Sequence, residues 1–201
     1  MRFPDIYLAS ASPRRREILE QLGVPHEVLR LPAVPGEDEP QLPNEAPAEY
    51  VQRTAREKAA RALALLSQQE SNNMAQRPVL AADTTVILDD EILGKPLDRA
   101  HARKMLLRLS GREHEVRTAV VLATPTQRLE AVSITTVQFA KLSNDEIEVY
   151  CATGEPMDKA GAYGIQGLAG LFVERISGSY TGVMGLPVYE TGQLLKRIGA
   201  A

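Results

Sequence analysis

The chain has 201 residues, enough for one good-sized domain or for two small lobes. Hydrophobic residues make up 44% and charged residues 24%, a globular balance that excludes a disordered or fibrous protein. A net charge of −3, with no Trp, three Phe and six Tyr, argues against a nucleic-acid binder, which needs a basic face or stacking rings.

Ile6 to Ala9 predicts a first buried strand that ends at Ser10. Ser12 and Pro13 then open a helix, as N-cap and first helical residue, which runs to Leu22 and stops at Gly23. His26 to Leu29 is a weak second strand. Five prolines between residues 30 and 47 exclude helix and central strand, so this stretch is read as a loop. An alanine-rich helix is expected from about Ala48 to Gln69, with Asn72-Asn73 beginning the next connection. Val79–Ala82 and Val86–Leu88 are strand-like, and Asp89-Asp90 is a turn leading into Ile92-Leu93.

Asp98 caps a helix to about Leu109, closed by Gly111. Two long strands follow, near Glu115–Ala123 and Glu130–Phe139. Ser143 and Glu146 form a capping box for a helix to Thr153. A glycine-rich segment, a strand at Leu171–Ile176, a Gly178-Ser179 turn and a helix from Pro187 to Ile198 complete the chain. Interleaved helices and strands, some joined by short turns, predict a single α/β domain with a mixed sheet.

Four segments carry polar groups suited to chemistry. Ser10-Ala-Ser12-Pro-Arg14-Arg15-Arg16 joins a strand to a helix N-terminus, where free N–H groups, hydroxyls and guanidinium forks suit a phosphate. Successive helical residues point about 100° apart, so at most two of the arginines can serve one ligand. A capped helix with a solvated basic turn fits the same residues. Asp83, after an apolar run, suits a proton acceptor or metal ligand, and equally a turn carboxylate satisfied by backbone. Glu37, Asp38 and Glu39 on the proline-rich loop offer oxygen ligands to Mg²⁺, or a solvated charge run. Four glycines from Gly161 to Gly170 permit close backbone approach to a ligand or a tight crossover. Lys58, Lys95 and Lys159 are, by themselves, surface charges.

No phosphate loop of the Walker type, paired-histidine zinc helix or nucleophile elbow is present, and the three histidines lack ligand spacing. The one cysteine, Cys151, forbids an internal disulfide and suits a reducing compartment. The N-terminal apolar run is too short for a signal peptide, and no stretch approaches the ~18 apolar residues of a membrane span. Cytoplasmic location without a membrane partner is the expectation.

The motifs Leu8-Ala-Ser-Ala-Ser-Pro-Arg-Arg-Arg-Glu-Ile-Leu19, Ala81-Ala-Asp-Thr-Thr-Val86 with Gly94-Lys-Pro96, and Leu109-Ser-Gly111 with Thr118-Ala119 resemble, in order, those of the Maf nucleotide pyrophosphatases. So do Asp158-Lys-Ala-Gly-Ala-Tyr-Gly-Ile-Gln-Gly167 and Gly185-Leu-Pro-Val-Tyr-Glu-Thr191. The resemblance implies an elongated, twisted mixed β-sheet with flanking helices and two lobes around a cleft, similar to the inosine triphosphate pyrophosphatase fold. It implies cleavage between the α and β phosphates of a nucleoside triphosphate with a divalent cation, Mg²⁺ or Mn²⁺. Carried over by position, Asp83 is the proton acceptor, and Ser10, Arg14, Arg15, Lys58 and Lys95 match the phosphate-site positions. Glu39 matches the loop carboxylate for the metal, with Asp83 the other ligand and Asp38 an alternative to Glu39. Arg14, Thr84 and Gln166 are similar to the dTTP/UTP branch, whereas the 7-methyl-GTP branch has Trp, Gln and Glu there. Thr85 departs from the usual aliphatic residue. The resemblance also implies a homodimer, and leaves two rivals: another base, or a regulator of septum formation that binds nucleotides without turnover.

Overall fold

A computed structural model describes residues 2–32, 40–68 and 77–198. Seven strands form one mixed sheet. β1 (Ile6–Leu8) lies parallel to β2 (His26–Val28) on one side and to β3 (Val79–Leu88) on the other. β5 (Glu113–Ala123) and β6 (Arg128–Phe139) follow in the order β2-β1-β3-β5-β6-β7, and β7 (Val173–Ser177) runs antiparallel to β6. β4 (Glu91–Leu93) folds back antiparallel on β3 through Asp89 and Asp90, both at positive φ. The expected mixed α/β architecture with flanking helices is present.

Contacts divide the described chain into two compact units. The first holds Met1–Asp83, Thr118–Val132 and Gly185–Ala201; the second holds Thr84–Arg117 and Ser133–Met184.

In the first unit, α2 (Pro47–Ser67) covers one face of β3. Its buried side chains are Val51, Ala55, Ala59, Ala62 and Leu66, a stripe at helical spacing. Val79 and Ala81 meet that stripe, because alternate strand residues share a face. Three alanines in the stripe keep the helix backbone close to the strand. α1 (Pro13–Gln21) ends in a Schellman motif: Gly23 sits at φ 65° and donates to Glu20 O, while Val24 donates to Leu19 O. α6 (Val188–Ile198) buries Thr191, Leu194, Leu195 and Ile198.

The second unit builds its core from α3 (Arg99–Leu109), α4 (Asn144–Ala152) and a cluster of rings. The predicted caps are in place: Asp98 accepts from His101 N, and Ser143 and Glu146 exchange both capping-box bonds. Three short 3-10 turns (Glu155–Asp158, Ala160–Ala162 and Leu168–Phe172) lead into and through the glycine-rich stretch, and a short helix, α5 (Tyr180–Met184), follows the Gly178-Ser179 turn. Among the described residues no helix is long and apolar enough to cross a membrane.

His114 is 4% exposed, packs edge-on against Phe139 and Tyr163, and pairs through Nε2 with the Tyr163 hydroxyl. Burial pulls its pKa down from 6.5 to about 4, so the folded protein holds it neutral. A depressed folded value means that stability is present above pH 6.5 and is lost as the pH falls towards 4. Urea unfolding compared at about pH 7 and about pH 5 should show that loss, at up to about 1.4 kcal/mol per pH unit, and His114→Gln should lose less over the same interval.

Candidate active site

β3 is one continuous ten-residue strand, so Asp83 lies in its middle. The sequence places it at a strand end, because a polar Asp-Thr-Thr triplet interrupts the apolar run. Pairing keeps the strand going: β4 covers its far half, and Thr85 is 2% exposed. Residues 79, 81 and 83 share the face that looks onto α2. There Lys58 sits one turn along from Ala55 and Ala62, beside the buried stripe. Its Nζ lies 2.5 Å from Asp83 Oδ1, with the side chains 23% and 15% exposed. A carboxylate so enclosed needs a cation or a set of donors to offset its lost hydration.

Arg15 reaches the same region from α1. Its Nε donates to Gly185 O at 2.8 Å and its Nη1 to Ser10 Oγ at 3.1 Å. Ser10 Oγ also accepts from Ser12 N at 3.2 Å. The hydroxyl thus ties the end of the β1 segment to the start of α1. Burial pulls the Arg15 pKa down, the Asp83 carboxylate opposes that, and the Arg14 charge adds to it. The guanidinium remains charged in any case. Arg16 turns away and pairs with Glu20 at 3.4 Å in an exposed i,i+4 bridge. The three arginines divide as helical geometry requires: Arg15 interacts with the carboxylate, Arg14 acts on Arg15, and Arg16 pairs in solvent.

Ser10, Arg15, Lys58 and Asp83 therefore form one cluster in the first unit, with the Arg14 charge acting on Arg15. Gly185 O is the member that the sequence did not flag; a backbone acceptor carries no side-chain signal, although its motif does.

Thr84, Lys95 and Gln166 belong to the second unit. Thr84 is half-buried on β3, and Lys95 is exposed in the turn after β4. Gln166 is exposed at the tip of a turn closed by Gly167 N donating to Gly164 O at 3.0 Å. Gly161 N donates to Gly94 O at 3.1 Å, which joins the glycine-rich segment to the Lys95 block. Gly161 sits at φ 68°, where an added Cβ would fall 2.9 Å from Val86 Cγ1, so glycine is required there. Lys159 serves structure: it is 14% exposed and donates to Glu155 O and Asp158 Oδ1. Glu37, Asp38 and Glu39, like Asn72-Asn73, lie outside the described residues.

A family model described as Maf-like protein matches residues 5–198. The chain belongs to the Maf family. Its Maf relatives include a dTTP/UTP pyrophosphatase of Bordetella pertussis, 61% identical over 198 residues and covering 98% of this chain and 94% of that protein. Proteins of the same description from Pseudoalteromonas translucida and Dechloromonas aromatica are 52% and 50% identical, with 95% or more of each chain covered. Among solved structures, the Staphylococcus aureus Ham1 protein matches at 13% identity with a TM-score of 0.49, covering 94% of this Maf chain and 99% of that one.

The bonds of Arg15 set a measurable contrast within this Maf chain. Lysine has one point of donation and cannot bridge Gly185 O and Ser10 Oγ as the fork does. Arg15→Lys should lower the free energy of urea unfolding by about 1–2 kcal/mol. Arg16→Ala, which breaks only an exposed bridge, should stay within about 0.5 kcal/mol of the parent.

Proposed function

We propose that this protein hydrolyses dTTP and UTP between the α and β phosphates, releasing the monophosphate and pyrophosphate. The observation that carries the chemistry is the Lys58–Asp83 pair with Arg15 and Ser10 around it. The substrate comes from relatives 50–61% identical over nearly the full chain, each described as a dTTP/UTP pyrophosphatase.

In this reading Lys58 orients the Asp83 carboxylate, which accepts a proton from the attacking water. The water oxygen joins phosphorus, the anhydride bond breaks, and the bridging oxygen leaves with pyrophosphate. Arg14, Arg15 and Lys95 offset the charge that the leaving group gains, and the Ser10 hydroxyl binds phosphate oxygen. Arg15 acts from a fixed position, since Ser10 and Gly185 hold its fork.

A divalent cation, Mg²⁺ or Mn²⁺, fits this donor set. Mg²⁺ binds through one or two carboxylates plus substrate phosphates and water. Asp83 supplies one carboxylate and Glu39 is proposed as the other. Among the described residues no three of His, Cys, Asp or Glu are placed to hold a metal ion by themselves. Bound there, such an ion would supply neutralisation of phosphate charge. Arg14, Thr84 and Gln166 are proposed to read the pyrimidine, because a site built to hydrogen-bond one base edge rejects bases that leave its donors unmatched. The cytoplasm, where the buried thiol of Cys151 stays reduced, and a homodimer without nucleic-acid partners complete the proposal.

A turnover panel of dTTP, UTP, CTP and GTP with Mg²⁺ or Mn²⁺ tests chemistry and base together. Pyrophosphate release should favour the first two and should stop on chelation of the metal. Asp83→Asn should lower kcat by about a hundredfold or more, the usual contribution of a general base. An unchanged rate would remove Asp83 from the mechanism.

A further inference from the structure

The exposed Gln166 turn is held from beneath by one carboxylate that no part of the mechanism above uses. Glu155 begins the first 3-10 turn after α4. Its Oε2 accepts from Leu168 N at 3.0 Å, and its Oε1 accepts from the Tyr150 hydroxyl at 3.0 Å and from Ala169 N at 3.5 Å. Its backbone oxygen accepts from Lys159 Nζ at 2.6 Å. The carboxylate lies so close to the loop that any Cβ at Gly167 would collide with it. At Gly164 a Cβ would fall 2.9 Å from Lys159 Cε. The glycines that bracket Ile165 and Gln166 thus leave the room that the Glu155 carboxylate and the Lys159 side chain occupy.

Rings fix the support itself. Tyr150 packs edge-on against Phe172, and Phe139 does the same against Tyr163 and Phe172. Burial, and then the neighbouring Glu155 carboxylate, push the Tyr150 hydroxyl well above its ordinary pKa, so it stays a donor. Two adjacent backbone N–H groups and one hydroxyl converge on one carboxylate, the pattern of a clamp on a short loop.

We propose that Glu155 is a positioning residue: its carboxylate clamps residues 164–170 and thereby holds Gln166 where it reads the base. The link to selectivity rests on the proposed base-reading role of Gln166. Glu155 touches no substrate, so its loss should act on KM and on selectivity more than on kcat.

The test compares Glu155→Ala, Glu155→Gln and Gln166→Ala in the full chain, by amide hydrogen exchange and by steady-state turnover of dTTP and CTP. Glu155→Ala should speed exchange at Leu168 and Ala169 by about tenfold or more, the effect of losing one or two hydrogen bonds, with exchange in β3 and β5 unchanged. Its KM for dTTP should rise by about tenfold while kcat stays within about threefold, and dTTP-over-CTP selectivity should fall. Glu155→Gln keeps the shape and one acceptor, and Tyr150 can turn its hydroxyl to accept, so it should fall between parent and alanine variant. Unchanged exchange at the two amides, or faster exchange spread evenly over the second unit, would overturn the clamp. So would a loss confined to kcat. Gln166→Ala separates the two ideas: if it leaves selectivity intact, the base-reading role fails, and the clamp is judged on the two amides and the Gln rescue.

Discussion

Everything near the candidate site follows from a carboxylate placed inside a buried strand. The four residues before Asp83 on β3 are 0% exposed, and the strand alternation aims Asp83 at the same side as Val79 and Ala81. A charge there is costly without a partner, and α2 supplies one. Ala55, Ala59 and Ala62 let the helix axis come close enough for Lys58 to reach Oδ1. Larger side chains on that stripe would move the ammonium away from the carboxylate. The packing of α2 and the chemistry of Asp83 are thus one constraint.

Arg15 shows the same economy at the junction of β1 and α1. Its fork joins Ser10, on the exit from β1, to Gly185, just before α6. One side chain therefore ties three chain segments of the first unit while placing a positive charge near Asp83. In the second unit the equivalent task falls to an acid. Glu155 gathers the amides of Leu168 and Ala169, and the ring cluster of Phe139, Tyr150, Tyr163 and Phe172 keeps its support rigid. Six Tyr and three Phe in the whole chain leave few rings to spend, and several of them stand under the glycine-rich loop.

Local signals were readable where a residue acts on its own backbone, although Ser12, at the N-cap of α1, makes no side-chain cap bond. Gly23 ends α1, Asp98 caps α3, and Ser143 with Glu146 boxes α4, as their spacing predicts. Boundaries moved where pairing extends a strand past its apolar residues. β5 begins at Glu113 and β6 at Arg128, each two residues earlier than hydrophobicity alone suggests. β7 starts two residues later than expected because a 3-10 turn takes Leu171 and Phe172. α5 has five residues and too short a pattern to read.

The sequence by itself determined the mixed α/β class, the family, the helix ends and the residue types of the site. It did so because caps, periodicity and ordered motifs are local or linear properties. Only the tertiary structure decided that Asp83 sits mid-strand against Lys58, that Arg15 interacts with it, and that Arg15 is held by Gly185 O. It also decided that Lys159 supports a loop and that Glu155 clamps it. Apart from those of Lys159, these depend on contacts 13 to 170 residues apart in the chain. No periodicity encodes such distances, since they arise from which helix packs on which strand and how closely.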